Sequence, residues 1–290
     1  MKINQKNIFL VASSEYMKWL FNPKIILIFA VLVPIRELII SPMVKAAEEM
    51  NQPLNLFEPC IALMNSGIIT LLLPLAYIVL ISSFPSVGGN MLFYIMRMGR
   101  KNWILGEMLF QLMSVVTFCA VLIIATLVQV FEISFVANGW SLVTTDYDKL
   151  YYEVSSFHMN TLLPPNLYYQ ISPYKAFFLS ISLLMMWLLL CAMFFLAGCI
   201  CSKKLIFYFI LIVQIALGGG LCTIKNKFMW LFPISHSILK VHYQDYFRKY
   251  IFSPQISLAL FLLIQILLAV FVYKKSKKVN LDKIGGDTLI

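Results

Sequence analysis

The sequence predicts an all-α polytopic membrane protein with six transmembrane helices. Of its 290 residues, 61% are hydrophobic and only 12% are charged, and its mean hydropathy is +0.85. A soluble domain carries about 25% charged residues. The apolar residues form long blocks instead of alternating with polar ones, and this pattern favours spanning helices over a β-barrel.

Six segments are long and apolar enough to cross a bilayer, for which a helix needs about 20 apolar residues. They are residues 25–40, 60–84, 108–131, 176–202, 205–224 and 251–273. The last five contain no Asp, Glu, Lys or Arg. Pro34 and Pro74 remove backbone hydrogen bonds inside two spans, so we expect a kink at each.

The segment before the first span predicts an N-terminal interfacial helix, or elbow, within residues 1–23. Leu10, Met17 and Phe21 share one face of this helix, and polar residues occupy the other. Such a helix prefers to lie in the membrane interface. An ordinary helical lead-in to the first span is the alternative, and in both cases Pro23 ends the segment.

We expect a single transmembrane domain, residues 1–290, because no repeat and no second domain is visible. It comprises the elbow (1–23), a six-helix bundle (24–273) and a basic tail (274–290). With both termini in the cytoplasm, 14 of the 23 Lys and Arg residues lie in cytoplasmic segments, and the other nine are matched by nine acidic residues outside. Cytoplasmic loops of membrane proteins carry such a basic excess. The net charge of +10 therefore indicates orientation in the cell (plasma) membrane and not a nucleic-acid partner.

The sequence contains no motif of a catalytic, metal or nucleotide-binding site. The phosphate loop G-x-x-x-x-G-K-[ST] is absent, so we expect no ATP or Mg²⁺ in this chain and no enzymatic activity of its own. The three histidines, His158, His236 and His242, fall in predicted outer loops and lack zinc-ligand spacing. Cys60 and Cys222 both fall near the outer face and are a candidate disulfide pair, although all six cysteines also fit as small apolar side chains.

Arg36 and Glu37 are the two ionisable residues nearest the middle of a span. They lie about 17 Å into the bilayer when the span starts at residue 25. Charged residues at that depth usually face the bundle interior or an aqueous pathway, which makes both of them candidate residues of a translocation path. The alternative is that the span ends near residue 35 and both residues lie at the interface.

The connection between spans 2 and 3 contains the basic stretch YIMRMGRKNW, residues 94–103. Apolar residues recur at helical spacing from residue 87 to residue 98, and Arg97, Arg100 and Lys101 share another face. The spacing predicts a short cytoplasmic helix over residues 87–101, with its apolar side against the bundle. Taken alone, its cations fit either an anchor on anionic lipid or a docking surface for a protein.

In this context the stretch FYIMRMGRKNWILGEML, residues 93–109, resembles the same connection in the permease subunits of type-2 ABC exporters. The similarity lies in Tyr94, Arg97, Gly99 and Arg100, while Glu107 stands where that family often has Lys. The six-span layout with a cytoplasmic N-terminal helix is similar over the full length.

The resemblance implies a six-span half-transporter that exports a hydrophobic or amphipathic substrate, such as a peptide, a lipid or a drug. The partners it implies are an ATP-binding cassette subunit, which would hold ATP and Mg²⁺, and a second permease subunit in a homo- or heterodimer within the membrane lipid. The residues 87–101 would be the coupling helix that docks on the ATPase, and the coupling residues would be Tyr94, Arg97, Gly99, Arg100 and Lys101.

Two other classes of function remain as alternatives. A membrane receptor or assembly partner that transports nothing would use its outer loops, where residues 132–174 are rich in aromatic side chains. Such aromatics suit an interfacial belt, or a gate that contacts the substrate. A channel or an ion-coupled carrier is disfavoured, because five spans contain no ionisable residue.

Overall fold

The computed structural model describes residues 3–85, 95–151, 157–245 and 249–276, and these residues are mostly helical. Two short strands, β1 (Leu54–Asn55) and β2 (Ser134–Phe135), pair in parallel. The helices are α1 (Gln5–Leu20), α2 (Ile26–Ile35), α3 (Ser41–Met50), α4 (Glu58–Asn65), α5 (Gly67–Ile81), α6 (residues 95–98), α7 (Arg100–Val130), α8 (Leu142–Tyr151), α9 (Met159–Leu162), α10 (Pro165–Tyr168), α11 (Pro173–Ile200), α12 (Lys204–Thr223), α13 (Pro233–Ser237) and α14 (Pro254–Ser276).

Five helical segments in the described part of the chain are long and apolar enough to cross a membrane. They are Pro23–Met50, Arg100–Ile133, Pro173–Ile200, Lys204–Thr223 and Pro254–Ser276. The helices α4 and α5 add a sixth candidate when they are counted as one span, although they are bent by 76° relative to each other. The prediction of an all-α polytopic protein is confirmed, with five or six candidate spans.

The first helical segment is longer than the sequence predicts. Residues Arg36–Ile40 form a π turn, in which the N–H of Ser41 bonds to the carbonyl of Arg36. Pro34 cannot donate a backbone hydrogen bond to Ala30, and the π turn begins two residues beyond it. The helix then continues to Met50, and Asn51 ends it in the left-handed conformation with φ 50°.

The second predicted span bends by 76° at Ser66, and Pro74 lies inside α5. The buried side chain of Asn65 stabilises the bend. Its Nδ2 donates to the carbonyl of Ile61 at 2.8 Å and to Ser180 Oγ at 3.1 Å, and its Oδ1 accepts the backbone N–H of Lys240 at 2.9 Å. These bonds hold a break in the helix inside the protein, where water cannot satisfy the backbone.

The helix α11 is at the centre of the bundle. In the most apolar 18-residue stretch of α11, 78% of the residues are buried, compared with 22% in the same stretch of α12 and 17% in that of α14. It packs against α4, α7, α12 and α14. By contrast, α12 and α14 leave large apolar side chains such as Leu205 and Leu267 exposed, and these surfaces are available to lipid or to another subunit.

The helix α1 packs lengthwise against the first half of α7. Val11 lies so close to Gly106 that a Cβ atom on this glycine would be 2.6 Å from the Val11 Cβ. Further along, the Tyr16 hydroxyl lies 2.8 Å from Thr117 Oγ1. The two helices therefore run in the same direction, and the position of α1 in the membrane interface stays a prediction.

The described cysteines form no disulfide. Cys60 is buried, and the Cys222 thiol lies 3.0 Å from the Ser235 hydroxyl. The candidate pairing of Cys60 with Cys222 is therefore wrong, and the interpretation of these cysteines as small side chains within the packing is the one that holds.

Candidate functional site

The bundle has two ends, which we name after one residue each. The Gly99 end contains α6, the first turns of α7 and the last turns of α11 and α14. The Glu58 end contains the start of α4 and the connections that follow α7 and α12. The predicted coupling residues Arg97, Gly99, Arg100 and Lys101 lie at the Gly99 end, whereas Tyr94 lies outside the described residues.

Gly99 separates α6 from α7. Its backbone has φ 84° and ψ 142°, a conformation that only glycine adopts without strain. The prediction of one unbroken helix through residue 101 is corrected here, because α7 starts anew at Arg100. Residues 87–94 of that helix lie outside the described residues. Arg97 thus precedes the break, and Arg100 and Lys101 belong to the first turn of a long helix.

Asn102 joins three segments at this break. It is buried, its Nδ2 donates to the carbonyl of Met98 at 2.8 Å, and its Oδ1 accepts the N–H of Asn4 at 3.0 Å. The end of α6 and the start of α1 are therefore both fixed to α7. Sequence reasoning did not select Asn102, although an amide directly after a basic motif and before an apolar run is a recognisable signal for such a role.

The Gly99 end has one apolar side and one basic side. Ile95 is only 3% exposed, and Met98 packs against the same apolar cluster, which consists of Val11, Ile95, Trp103, Ile104, Leu196, Ala197, Ile200 and Val272. Arg97 and Arg100 are exposed, and so is Met96, which directly precedes Arg97. The basic surface is therefore attached to four helices, α1, α7, α11 and α14, through the buried contacts of this apolar cluster.

Glu107, the residue by which the motif departs from the exporter family, is buried. Its carboxyl lies near Trp103 in the preceding turn and near Glu15 of α1, which is paired with Lys18, and its buried Oε1 has no hydrogen-bond partner among the described residues. This residue thus belongs to the contact between α1 and α7 and not to the basic surface.

Arg36 and Glu37 lie on the π turn of the first span, and both are exposed. Neither faces the interior of the bundle of this chain, so the interior placement is corrected. The helix also continues beyond them to Met50, and the alternative that both residues lie at the membrane interface stays a prediction.

Comparison with protein-family models, with curated proteins and with solved structures returned no match. The fold and the apolar helices define an all-α multi-pass membrane protein.

The connections at the Glu58 end fold into a packed layer. Glu58 has no exposed surface, and its carboxylate accepts the N–H of Ser141 at 2.6 Å and the Ser141 hydroxyl at 2.7 Å. Tyr147 of α8 donates its hydroxyl proton to Glu49 of α3 at 2.6 Å. The described part of the aromatic-rich connection 132–174 is therefore held against α3 and α4 by specific polar contacts.

The same end brings His236 and His242 to one hydroxyl. Ser257 Oγ lies 2.8 Å from His236 Nδ1 and 2.9 Å from His242 Nε2. The outer ring nitrogens face backbone carbonyls, with His236 Nε2 2.9 Å from that of Trp230 and His242 Nδ1 3.0 Å from that of Ile238. Burial lowers the pKa of His236 below its ordinary value and lowers the pKa of His242 to about 4. Spacing in the sequence did not indicate this pair, because a six-residue separation matches no regular element.

A cavity of about 460 Å³ opens beside the histidine pair. It adjoins a second cavity of about 240 Å³, which reaches the first turn of α5 at Gly67 and Thr70. Lys225 and Lys240 line both cavities. Sequence reasoning missed this site, because its walls come from α9, α10, α12 and the connection after α12.

Proposed function

We propose that this chain is the permease subunit of an ATP-driven ABC exporter in the plasma membrane. It moves a hydrophobic or amphipathic substrate, a peptide, a lipid or a drug, out of the cell. A separate ATP-binding cassette subunit hydrolyses the ATP. The observation that carries this proposal is the basic surface of the Gly99 end, which is exposed on one side and fixed to the bundle on the other.

The geometry of this surface suits the transmission of force. Movement of a subunit docked on Arg97 and Arg100 would act on α6 and on the first turn of α7. Ile95 and Asn102 connect α6 to α1, α7, α11 and α14. Guanidinium groups bind carboxylates through paired, charge-assisted hydrogen bonds, so an acidic groove on the ATPase is the expected counterpart. The Gly99 end is then the cytoplasmic end.

The exposed apolar surfaces of α12 and α14 support a second permease subunit in the assembly. A half-transporter needs such a partner to enclose a path, and helices in lipid associate through close packing of their apolar surfaces. Arg36 and Glu37 are exposed on the outside of a single chain, so a path that contains them would lie between two subunits and not within one.

The test is co-purification of the chain with an ATP-binding subunit encoded beside it. Reversal of both charges, Arg97→Glu with Arg100→Glu, should abolish the complex, because two guanidinium contacts would become repulsive contacts. Each charge-assisted contact contributes about 1.5–3 kcal/mol, so we expect the affinity to fall at least about 100-fold.

The matched control is Lys274→Glu with Lys275→Glu, which reverses two exposed charges at the end of α14. This variant should retain the ATPase. The docking proposal fails if the arginine variant still binds the ATPase and transports. Vesicles that contain both subunits should also show substrate-stimulated ATP hydrolysis, whereas a receptor or assembly partner that transports nothing should show none.

A further inference from the structure

The larger cavity at the Glu58 end has an uneven charge. Three lysines line it, Lys225, Lys227 and Lys240, against the single carboxylate of Asp245. Asp245 accepts a hydrogen bond from the Lys225 ammonium at 3.0 Å, and this contact is its ion pair among the described residues. Two cationic groups of the described lining are therefore left without an acidic partner.

Lys240 is the least exposed of these cations. Burial and the nearby Lys225 ammonium lower its pKa below the ordinary value of a lysine. The Lys240 side chain is partly buried. A partly desolvated ammonium without a carboxylate is unfavourable, and an anion beside it would reduce that cost. The described residues supply no such anion, because Lys240 forms no ion pair among them.

The remainder of the lining is apolar and aromatic. Met229, Trp230, Val241 and Ile251 contribute to it. The lining also contains a polar acceptor. Asn166 Oδ1 is buried and has no hydrogen-bond partner among the described residues. A cavity with cations at one position and apolar walls elsewhere matches a molecule that has both a charged and an apolar part.

We propose that this cavity binds an amphiphile whose headgroup carries a phosphate or a carboxylate. The headgroup lies between Lys240 and Lys227, and the apolar part lies along Trp230 and Ile251. This inference is independent of the proposed function, because it depends on the Glu58 end alone.

Occupancy of the cavity is connected to the bend in the second candidate span. The backbone N–H of Lys240 donates to Asn65 Oδ1, and Asn65 is the residue that stabilises the bend. The adjoining smaller cavity reaches Gly67 and Thr70 just beyond this bend. A ligand on Lys240 is therefore held by the same segment that fixes the direction of α5.

The experiment uses the full chain in lipid nanodiscs and the fluorescence of Trp230. In phosphatidylcholine discs, an increasing fraction of the lipid is replaced by brominated phosphatidylglycerol or, in a parallel series, by brominated phosphatidylcholine. Brominated acyl chains quench the fluorescence of a tryptophan that they contact. The signal of Trp230 is the difference between the natural chain and Trp230→Phe. We expect phosphatidylglycerol to reach half-maximal quenching at a roughly tenfold lower fraction than phosphatidylcholine does, because one charged hydrogen bond would favour the anionic lipid by this factor.

Lys240→Gln should remove the preference for the anionic lipid, and Lys240→Arg should retain it. Lys175→Gln is the matched control, since Lys175 is exposed in the first turn of α11 and does not line the cavity. If inorganic phosphate reverses the quenching, the anion alone is sufficient for binding. If the quenching persists in phosphate, the acyl chain of the lipid is also needed. Both results support an anion site. Equal quenching by the two lipids, or a preference that survives in Lys240→Gln, would overturn the proposal.

Discussion

Burial keeps His236 and His242 neutral at pH 7, and this gives the protein a defined response to acid. In the unfolded chain both side chains titrate near 6.5, whereas in the folded chain burial lowers the pKa of His236 and brings the pKa of His242 to about 4. Between these values the unfolded chain binds more protons than the folded one. The contribution to stability is therefore complete above about pH 6.5 and is lost as the pH falls toward 4.

The replacement His242→Gln should flatten this pH dependence. The shift of the His242 pKa corresponds to about 3 kcal/mol of unfolding free energy lost on acidification, and glutamine has no group that titrates there. Thermal unfolding in detergent, followed by circular dichroism from neutral to mildly acidic pH, measures the effect. If the unfolding midpoint of His242→Gln depends on pH as steeply as that of the natural chain, the lowered pKa assigned to His242 is contradicted.

At the scale of single residues, sequence reasoning identified surface chemistry better than buried chemistry. Arg97 and Arg100 are exposed as their charge requires, and Ile95 is buried as its spacing predicts. The roles of Asn102 and Lys240 were not predicted, because they depend on partners that are distant in sequence, Asn4 and Asn65. No local pattern carries that information.

At the scale of helices, the contact between α1 and α7 depends on a glycine. A Cβ atom on Gly106 would lie 2.6 Å from the Val11 Cβ and 3.0 Å from the carbonyl oxygen of Ile8. Neither atom can rotate away, because one is the first side-chain atom and the other is backbone. The two helices would have to separate to admit a methyl group.

Gly106→Ala should therefore destabilise the protein by about 1–3 kcal/mol, the usual cost of an overpacked contact. Gly67→Ala is the comparison, because no atom lies within 4 Å of its added Cβ and alanine favours a helix. The midpoint of thermal unfolding in detergent reports both changes. A midpoint of Gly106→Ala equal to that of Gly67→Ala would show that α1 does not pack against α7 as described.

The bend in the second candidate span shows where helix prediction from sequence ends. Pro74 is the residue that local rules select for a kink, yet it lies within α5. The break falls at Ser66, where the side chain of Asn65 bonds to α11 and to the segment after α12. Hydropathy predicted that this segment is apolar, and tertiary contacts decided where it bends.

At the scale of the whole molecule, the bent pair determines the number of crossings. The Lys24 ammonium donates to the hydroxyls of Ser82 and Ser83 at 2.8 Å and 2.7 Å. The segment that follows α5 therefore returns to the level where the first helical segment starts. If α4 and α5 form one span, we expect the chain to cross the membrane six times, with Gln5 and Ser276 on the same side.

Epitope tags at the two termini test this arrangement in cells. We expect antibodies to reach both tags only after the membrane is permeabilised, in accordance with the basic segments being inside. The arrangement is wrong if one tag is accessible in intact cells, because five crossings would place the termini on opposite sides. Insertion of a tag at Gly139, which has open space around it, supplies the positive control on the opposite face.

Hydropathy and charge thus predicted the class, the apolar segments and the basic surface, since each of these is a property of consecutive residues. The layer at the Glu58 end was not predictable in the same way. Its central contact joins Glu58 to Ser141, and its cavity is assembled from four separate segments. The aromatic composition of residues 132–174 indicated an interface but not the polar contacts that order it.

The hydroxyl shared by the two histidines has a consequence that follows from counting hydrogens. The row from the Trp230 carbonyl through His236, Ser257 and His242 to the Ile238 carbonyl contains four contacts. Two neutral imidazoles and one hydroxyl supply only three hydrogens, because each of them carries one. One contact in the row therefore always joins two acceptors, and the vacancy can move along it by tautomer exchange. A first proton taken up from outside would complete the row. A second would make the Ser257 oxygen accept from both imidazoles and turn its own hydrogen away from the row.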